Sequence, residues 1–332
     1  MTAPALDRSI AVAIIAAGLI TGGARRARAG DPPEATAVSV APAVAASPPL
    51  PPGPYSLPWQ LRPAAASTVV RAESSVAFYD TAGQSGSTEA TMLLGSYAVT
   101  PHLAPLVRLG FVQNQAPGTA PDGASFINPI VGLTYARHTQ VLRWALFAAA
   151  TLPLGAGGGD HPDAAVSAAN TAGLQARSGM DNAMFAVNYA TGIVGADVAY
   201  VGHRATLQAE ATLFQLFRVH GDNAGAQSSD AARTNSTMGV HAGYFLLPML
   251  SVGAELRYQR WLTTPTRLVM GSKLDIPDAN RDTMTVAIGP RVHVKVGRSM
   301  FLRPGVSYSR ALDNPLSGAS YNTLQIDVPV LF

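Results

Sequence analysis

Residues 284–296, MTVAIGPRVHVKV, decide the fold. In an extended strand, alternate side chains point to opposite faces. One face here carries Met284, Val286, Ile288, Pro290, Val292, Val294 and Val296, and the other carries Thr285, Ala287, Gly289, Arg291, His293 and Lys295. A tilted strand needs about ten residues to cross a bilayer, and this stretch supplies them. The pattern recurs. Leu250, Val252, Ala254, Leu256 and Tyr258 oppose Ser251, Gly253, Glu255 and Arg257. Met238, Val240, Ala242, Tyr244 and Leu246 oppose Gly239, His241 and Gly243. Residues 300–308 repeat it, with Arg303, Gly305 and Ser307 on the polar face.

Weaker segments complete a set of about twelve, an even count as single-chain membrane barrels use. The expected spans are 69–79, 89–99, 104–113, 125–136, 141–152, 186–200, 204–218, 235–247, 250–262, 282–296, 299–310 and 320–332. The second and seventh are ambiguous in phase at Leu93-Leu94 and at Phe214 to Phe217, where a bulge would resolve them. The fold class read from this is all-β: a transmembrane antiparallel up-and-down β-barrel.

The connections support it. Short links at 100–103, 137–140, 201–203, 248–249 and 297–298 alternate with long ones at 80–88, 114–124, 153–185, 219–234, 263–281 and 311–319. Membrane barrels have short periplasmic turns and long outer loops, so both termini are expected on the periplasmic side. Tyr97, Tyr135, Tyr200, Tyr244 and Phe332 fall near the short-turn ends, and Phe78, Phe111, Phe217, Trp261 and Tyr308 near the long-loop ends. Two aromatic girdles are what two membrane interfaces select. A soluble β-sandwich would alternate as well, but it needs neither the loop asymmetry nor the girdles.

The closing strand repeats the alternation. Leu324, Ile326, Val328, Val330 and Phe332 oppose Thr323, Gln325, Asp327, Pro329 and Leu331. This ending resembles the last strand of Gram-negative outer-membrane β-barrel proteins. The resemblance implies that Phe332 is the insertion signal read by the barrel-insertion machinery, with the bilayer and lipopolysaccharide as surroundings. Residues 129–135 (PIVGLTY), then Leu152-Pro153-Leu154-Gly155 ahead of a Gly-rich loop, resemble porin-like transporter barrels, some associated with uptake or breakdown of aromatic compounds.

Composition narrows the classes further. The chain has no Cys, which excludes disulfides and thiolate chemistry and suits passage through an oxidising periplasm. Its net charge of +3 forms no Lys/Arg block, so no nucleic-acid partner is expected. No cofactor or metal is expected either. The stretch from Ile10 to Ile20, with Arg8 before it and Ala27-Arg28-Ala29 after it, reads as a signal peptide over 1–29. Arg25, Arg26 and Arg28 leave an uncleaved anchor as the alternative. Residues 30–68 read as a Pro/Ala-rich periplasmic linker, with a more apolar patch from Tyr55 to Leu61, and 69–332 as the barrel.

If the apolar faces meet lipid, the other faces line the lumen. Those positions hold Arg71, Arg108, Arg143, Arg257, Arg291, Lys295 and Arg303, with Glu73, Asp197, Glu210, Glu255 and Asp327, and His241 and His293. Arg or Lys facing lipid at the midplane would cost about 2–4 kcal/mol. The charges either pair and plug the barrel or line a water-filled, slightly basic channel. The connection 153–185 opens with Gly155 to Gly159 and has an Ala-rich stretch, 163–175, that favours a helix. It either folds inward as a constriction or is a surface loop. The leading expectation is a passive channel for small solutes. A closed structural or adhesive barrel comes second. An outer-membrane lipase or protease comes third, with no catalytic residue assigned.

Overall fold

Antiparallel pairing runs from neighbour to neighbour along the whole chain and then closes on itself. The strands are β1 (Val69–Thr81), β2 (Gln84–Ser96) and β3 (Leu103–Gln115). Then come β4 (Ile130–His138, preceded across a break by Gly123–Phe126), β5 (Leu142–Thr151), β6 (Tyr189–Val201) and β7 (Ala205–Arg218). They continue as β8 (Ala232–Leu247), β9 (Leu250–Trp261), β10 (Asp282–Val292 and Val294–Val296), β11 (Met300–Leu302 and Gly305–Ala311) and β12 (Asn322–Leu331). Val69 pairs with Leu331, and the ladder continues to Phe78 with Asn322, sealing β1 to β12. The result is a closed twelve-stranded antiparallel barrel. This computed structural model describes residues 54–81, 83–221, 230–264, 266–269, 272–275 and 280–332. The expected signal peptide and the linker up to residue 53 lie outside the described residues.

Alternation becomes inside and outside. On β10, Val286, Ile288 and Val292 are exposed while Thr285, Ala287 and Arg291 are buried. Outward Phe78, Phe111, Phe217 and Tyr308 sit toward the long-loop ends, and Tyr97, Tyr200, Tyr244 and Phe332 toward the short-turn ends. Phe78 pairs with Ser87, ten residues along the chain from Tyr97. At the usual rise and tilt, that span is about 25 Å along the barrel axis, the height of a lipid-facing band. Trp261 departs from the girdle: it is half-buried beneath the Arg233 guanidinium, 4.6 Å from the ring centre.

Neither suspected bulge exists. β2 and β7 keep an unbroken register with both neighbours. Met92, Phe214 and Leu216 point inward, and Leu93 and Phe217 outward. Irregularities fall instead between Leu250 and Ser251, where the register with β8 shifts, and between Phe126 and Ile130, where pairing with β3 slips by one residue. The second of these, the slip against β3, turns Ile127 and Asn128 into the barrel, both fully buried.

The long 153–185 connection carries helix α1 (Ala164–Ala176) and a short helix α2 (Asn182–Phe185). Asp163 caps α1, its Oδ1 accepting from the Ala165 and Val166 N–H groups at 2.9 and 3.1 Å. Ala-rich sequence favours the helix interior. Ser178 and Gly179, both at positive φ, end it. The buried face of α1 is mostly small groups (Ala169, Ala172, Gly173 and Ala176, with Asn170), which lets it lie close to its neighbours. Gly123 is the tightest contact. A Cβ there would sit 2.1 Å from the Ala165 carbonyl oxygen, backbone that cannot step aside. Gly123→Ala is therefore expected to cost about 1–3 kcal/mol. A lowered urea midpoint of the refolded barrel would register it.

Candidate functional site

Among the described residues, two pieces of chain outside the wall fill the lumen. The first is the segment 54–68. The sequence favours a flexible spacer here, yet Tyr55, Leu57, Trp59, Leu61 and Ala64 are all buried. The physical reason is the wall. Gly239, Gly243, Gly253 and Gly305 occupy inward positions where a side chain would strike the segment. A Cβ on Gly239 would lie 2.3 Å from Leu61 Cδ2, and one on Gly243 2.2 Å from Ser56 Oγ. Added Cβ atoms on Gly253 and Gly305 would each sit 3.2 Å from Trp59 ring atoms.

The segment has no helix or strand of its own, so its backbone must find other partners. Wall side chains supply them. Ser56 N donates to Thr206 Oγ1 at 3.0 Å, and Arg62 N to Glu210 Oε2 at 2.5 Å. Glu255 accepts from the Trp59 and Gln60 N–H groups. The Pro58 carbonyl accepts from Arg71 at 3.2 Å and Arg291 at 3.3 Å, and the Trp59 carbonyl from Gln325 at 3.3 Å. The Arg62 guanidinium enters from the segment and meets Asp197 at 3.5 Å and Glu210 at 3.3 Å.

The second piece is the 153–185 connection, which folds inward. Asn128, delivered by the register slip, holds its end. The Asn128 side chain donates to the Ala186 and Tyr189 carbonyls and accepts from Gly155 N. Met184, Phe185, Ala169 and Ala176 pack on inward Met92, Val112, Ile127, Phe147, Ile193, Phe214 and Leu216. Burying a Met or Phe side chain contributes about 1.5–3 kcal/mol.

Charges lock this piece to the wall. Glu73 of β1 faces three guanidiniums: Arg71 at 3.3 Å, Arg177 at 2.8 Å, and Arg108. Arg108 and Arg177 also grip Asp181 at 2.5 and 2.8 Å. Burial alone would raise the Asp181 pKa. Arg108 and Arg177 outweigh it and hold the group at about 2, below its ordinary 3.8. A depressed carboxylate pKa stabilises above the unfolded value and is lost as pH falls through the folded one. The packed connection is therefore expected to survive down to pH 4 and loosen between pH 3.8 and about 2. Protease cleavage near α1 after acid pulses would report this.

Of the other residues expected in the lumen, Lys295 is exposed and the rest lie about these pieces. Asp327 bridges Arg71 at 2.7 Å and Arg291. Glu255 pairs with Arg257 at 2.7 Å and lies 3.5 Å from His241 Nδ1. Arg143 stands over the Tyr55 ring at 4.8 Å, and Arg303 reaches the Tyr55 carbonyl at 3.4 Å. Lys295 is exposed at the short-turn rim beside Phe301. His293 Nε2 and Ser251 Oγ are 2.8 Å apart, with no carboxylate against this pair among the described residues. Phe332 continues the closing ladder, its N–H donating to the Thr68 carbonyl at 3.1 Å.

Sequence reasoning missed Arg62, Trp59, Arg177 and Asp181. The Tyr55 to Leu61 patch was a signal for the first pair. Arg177 and Asp181, four residues apart beside an Ala-rich helix, were a signal for the second. What space remains is split. A cavity of ≈430 Å³ opens at the short-turn mouth. Another of ≈80 Å³ lies between the inserted pieces, bounded by Gln60 and Arg62 on one side and by Met180 and Asp181 on the other. Arg62, Leu94 and Leu106 border both.

No family model matches the sequence, and no curated protein matches it. Solved structures do. The COG4313 outer membrane channel from Pseudomonas putida F1 superposes with a TM-score of 0.51 at 13% identity, covering 82% of this chain and 98% of that one. The NanC porin matches with a TM-score of 0.44 at 8% identity, over 79% and 98% of the two chains. The KdgM porin matches at 0.41 and 9%, over 79% and 99%. The first of these likenesses, with the closed ladder and the lipid-facing band, establishes the fold: this chain is a transmembrane β-barrel of the outer-membrane type.

Proposed function

We propose that the protein is a passive outer-membrane channel for small solutes, with both termini periplasmic and its lumen narrowed at rest by segment 54–68 and the 153–185 connection. The observation that carries this reading is how segment 54–68 is held. The wall behind it is hydrophilic (Thr206, Gln208, Glu210, His241, Glu255, Gln325 and Asp327), and most of the attachments are hydrogen bonds and ion pairs. Water replaces such contacts at modest net cost, whereas an apolar seal resists it. A barrel of this size, once the segment leaves, has a polar-lined bore. Phe332 fits the role of insertion signal, and the outward aromatic rims fit contact with bilayer and lipopolysaccharide.

The apolar packing of Met184 and Phe185 favours a second reading, a permanently closed structural barrel. Recording the full chain in a planar bilayer under a salt gradient separates the two. The channel reading expects small stepwise conductance with anion preference, since Arg143 and Arg303 stand at the mouth. Complete silence from folded, heat-modifiable protein would favour the closed barrel. Gly243→Ile supplies an independent check. Its side chain would occupy the place of Ser56, so larger conductance levels should be visited several-fold more often.

A further inference from the structure

The ≈430 Å³ cavity at the short-turn mouth lies between segment 54–68 and the inner wall. Arg143 of β5 and Arg303, in the break between the two parts of β11, reach into it from the wall, and both flank Tyr55. Arg137 and His138, exposed at the end of β4, rim the opening. Among the described residues no carboxylate is paired with Arg143 or Arg303, and no Asp or Glu lines the cavity. Six other lumen arginines differ. Arg62, Arg71, Arg108, Arg177, Arg257 and Arg291 each have an acidic partner. Moreover, Arg303 Nε is buried without any hydrogen-bond partner. The other side of the cavity is greasy, formed by Leu57, Leu94 and Leu331.

Half-buried guanidiniums without counterions favour a carboxylate, which their planar fork can bind bidentately. An apolar wall of this extent favours a hydrocarbon body on the same molecule, and the volume falls in the range of small-ligand pockets. We propose that this cavity is a binding site for small organic monocarboxylates, with Arg143 and Arg303 holding the carboxylate and the leucines holding the hydrocarbon. The site goes beyond the channel reading and does not depend on conduction, because it is complete with the segment in place.

Isothermal titration of the full chain in detergent tests it, with cyclohexanecarboxylate, its neutral carboxamide, and acetate as probes. The expected result is saturable binding of cyclohexanecarboxylate, with the carboxamide and acetate each weaker by about tenfold or more. Rising salt should weaken the carboxylate alone. Arg143→Gln combined with Arg303→Gln should lower its affinity about tenfold, the effect of about 1.4 kcal/mol. The proposal is overturned if acid and amide bind alike, if no saturable heat is seen, or if the folded double variant binds as the parent does. If the double variant does not fold, the comparison of acid with amide on the parent still decides.

Discussion

Deleting residues 55–66 should raise single-channel conductance several-fold and remove most discrimination by solute size. The deletion takes away Trp59, Leu61 and Tyr55, the bulk of what fills the short-turn half of the lumen. It leaves Asp197, Glu210, Glu255 and Asp327 facing water with their arginines, except that Arg62 leaves with the segment. Asp197 and Glu210, paired across β6 and β7, then lose their shared cation. Ion preference should accordingly move toward cations. The cost to stability is real, since burying each large apolar side chain contributes about 1.5–3 kcal/mol. The wall itself keeps every backbone pairing, so the shortened protein should still close. Bilayer recordings beside a heat-modifiability gel would show both effects. Unchanged conductance in a folded deletion variant would mean that the segment does not obstruct the path.

Glu73→Gln is expected to destabilise the barrel by about 3 kcal/mol, the lower end of what breaking a buried ion pair costs. Glu73 is 5% exposed and, among the described residues, is the one acid that Arg71, Arg108 and Arg177 share. Gln can accept a hydrogen bond but cannot neutralise three guanidiniums. Asp327 and Asp181 still serve some of them, which is why the loss stays at the lower end. The effect should localise. The 153–185 connection, tied to β1 through Arg177, should become cleavable by protease before the barrel unfolds. Glu89→Gln, on the outer face of β2, is the control and should change the unfolding free energy by no more than about 0.5 kcal/mol.

How much of this was legible in the sequence depends on what each side chain faces. Where the outer face meets lipid and the inner face meets charge, as from Met284 to Val292, alternation is clean and both face and register follow from it. Where the inner face meets the packed connection, the pattern blurs. Leu93-Leu94, and Phe214 and Leu216 beside Phe217, looked ambiguous because both faces are apolar there: Leu93 and Phe217 point to lipid, Leu94 borders the lumen cavities, and Phe214 and Leu216 pack with Phe185 and Met184. That ambiguity was itself the trace of an apolar filling. The segment 54–68 was hidden for the opposite reason. A polar lumen wall has the same composition whether water or a peptide backbone lies against it. Only the run of inward glycines on β8, β9 and β11 marked a place kept clear for something. The site charges on strands could be assigned to a face. Their partners Arg62, Arg177 and Asp181 could not, because they come from chain that has no period.

The claim at the centre is that segment 54–68 obstructs a channel and can leave it. The chain has no native cysteine, so a tether is clean. Ser56 N lies 3.0 Å from Thr206 Oγ1, which puts Ser56→Cys and Thr206→Cys within reach of a disulfide. Single-channel recording of this double variant before and after reduction is the direct measurement. The account predicts that the oxidised protein stays in its smallest conductance level and that reduction restores excursions to the larger one. Identical records in both states, with the disulfide verified, would contradict it.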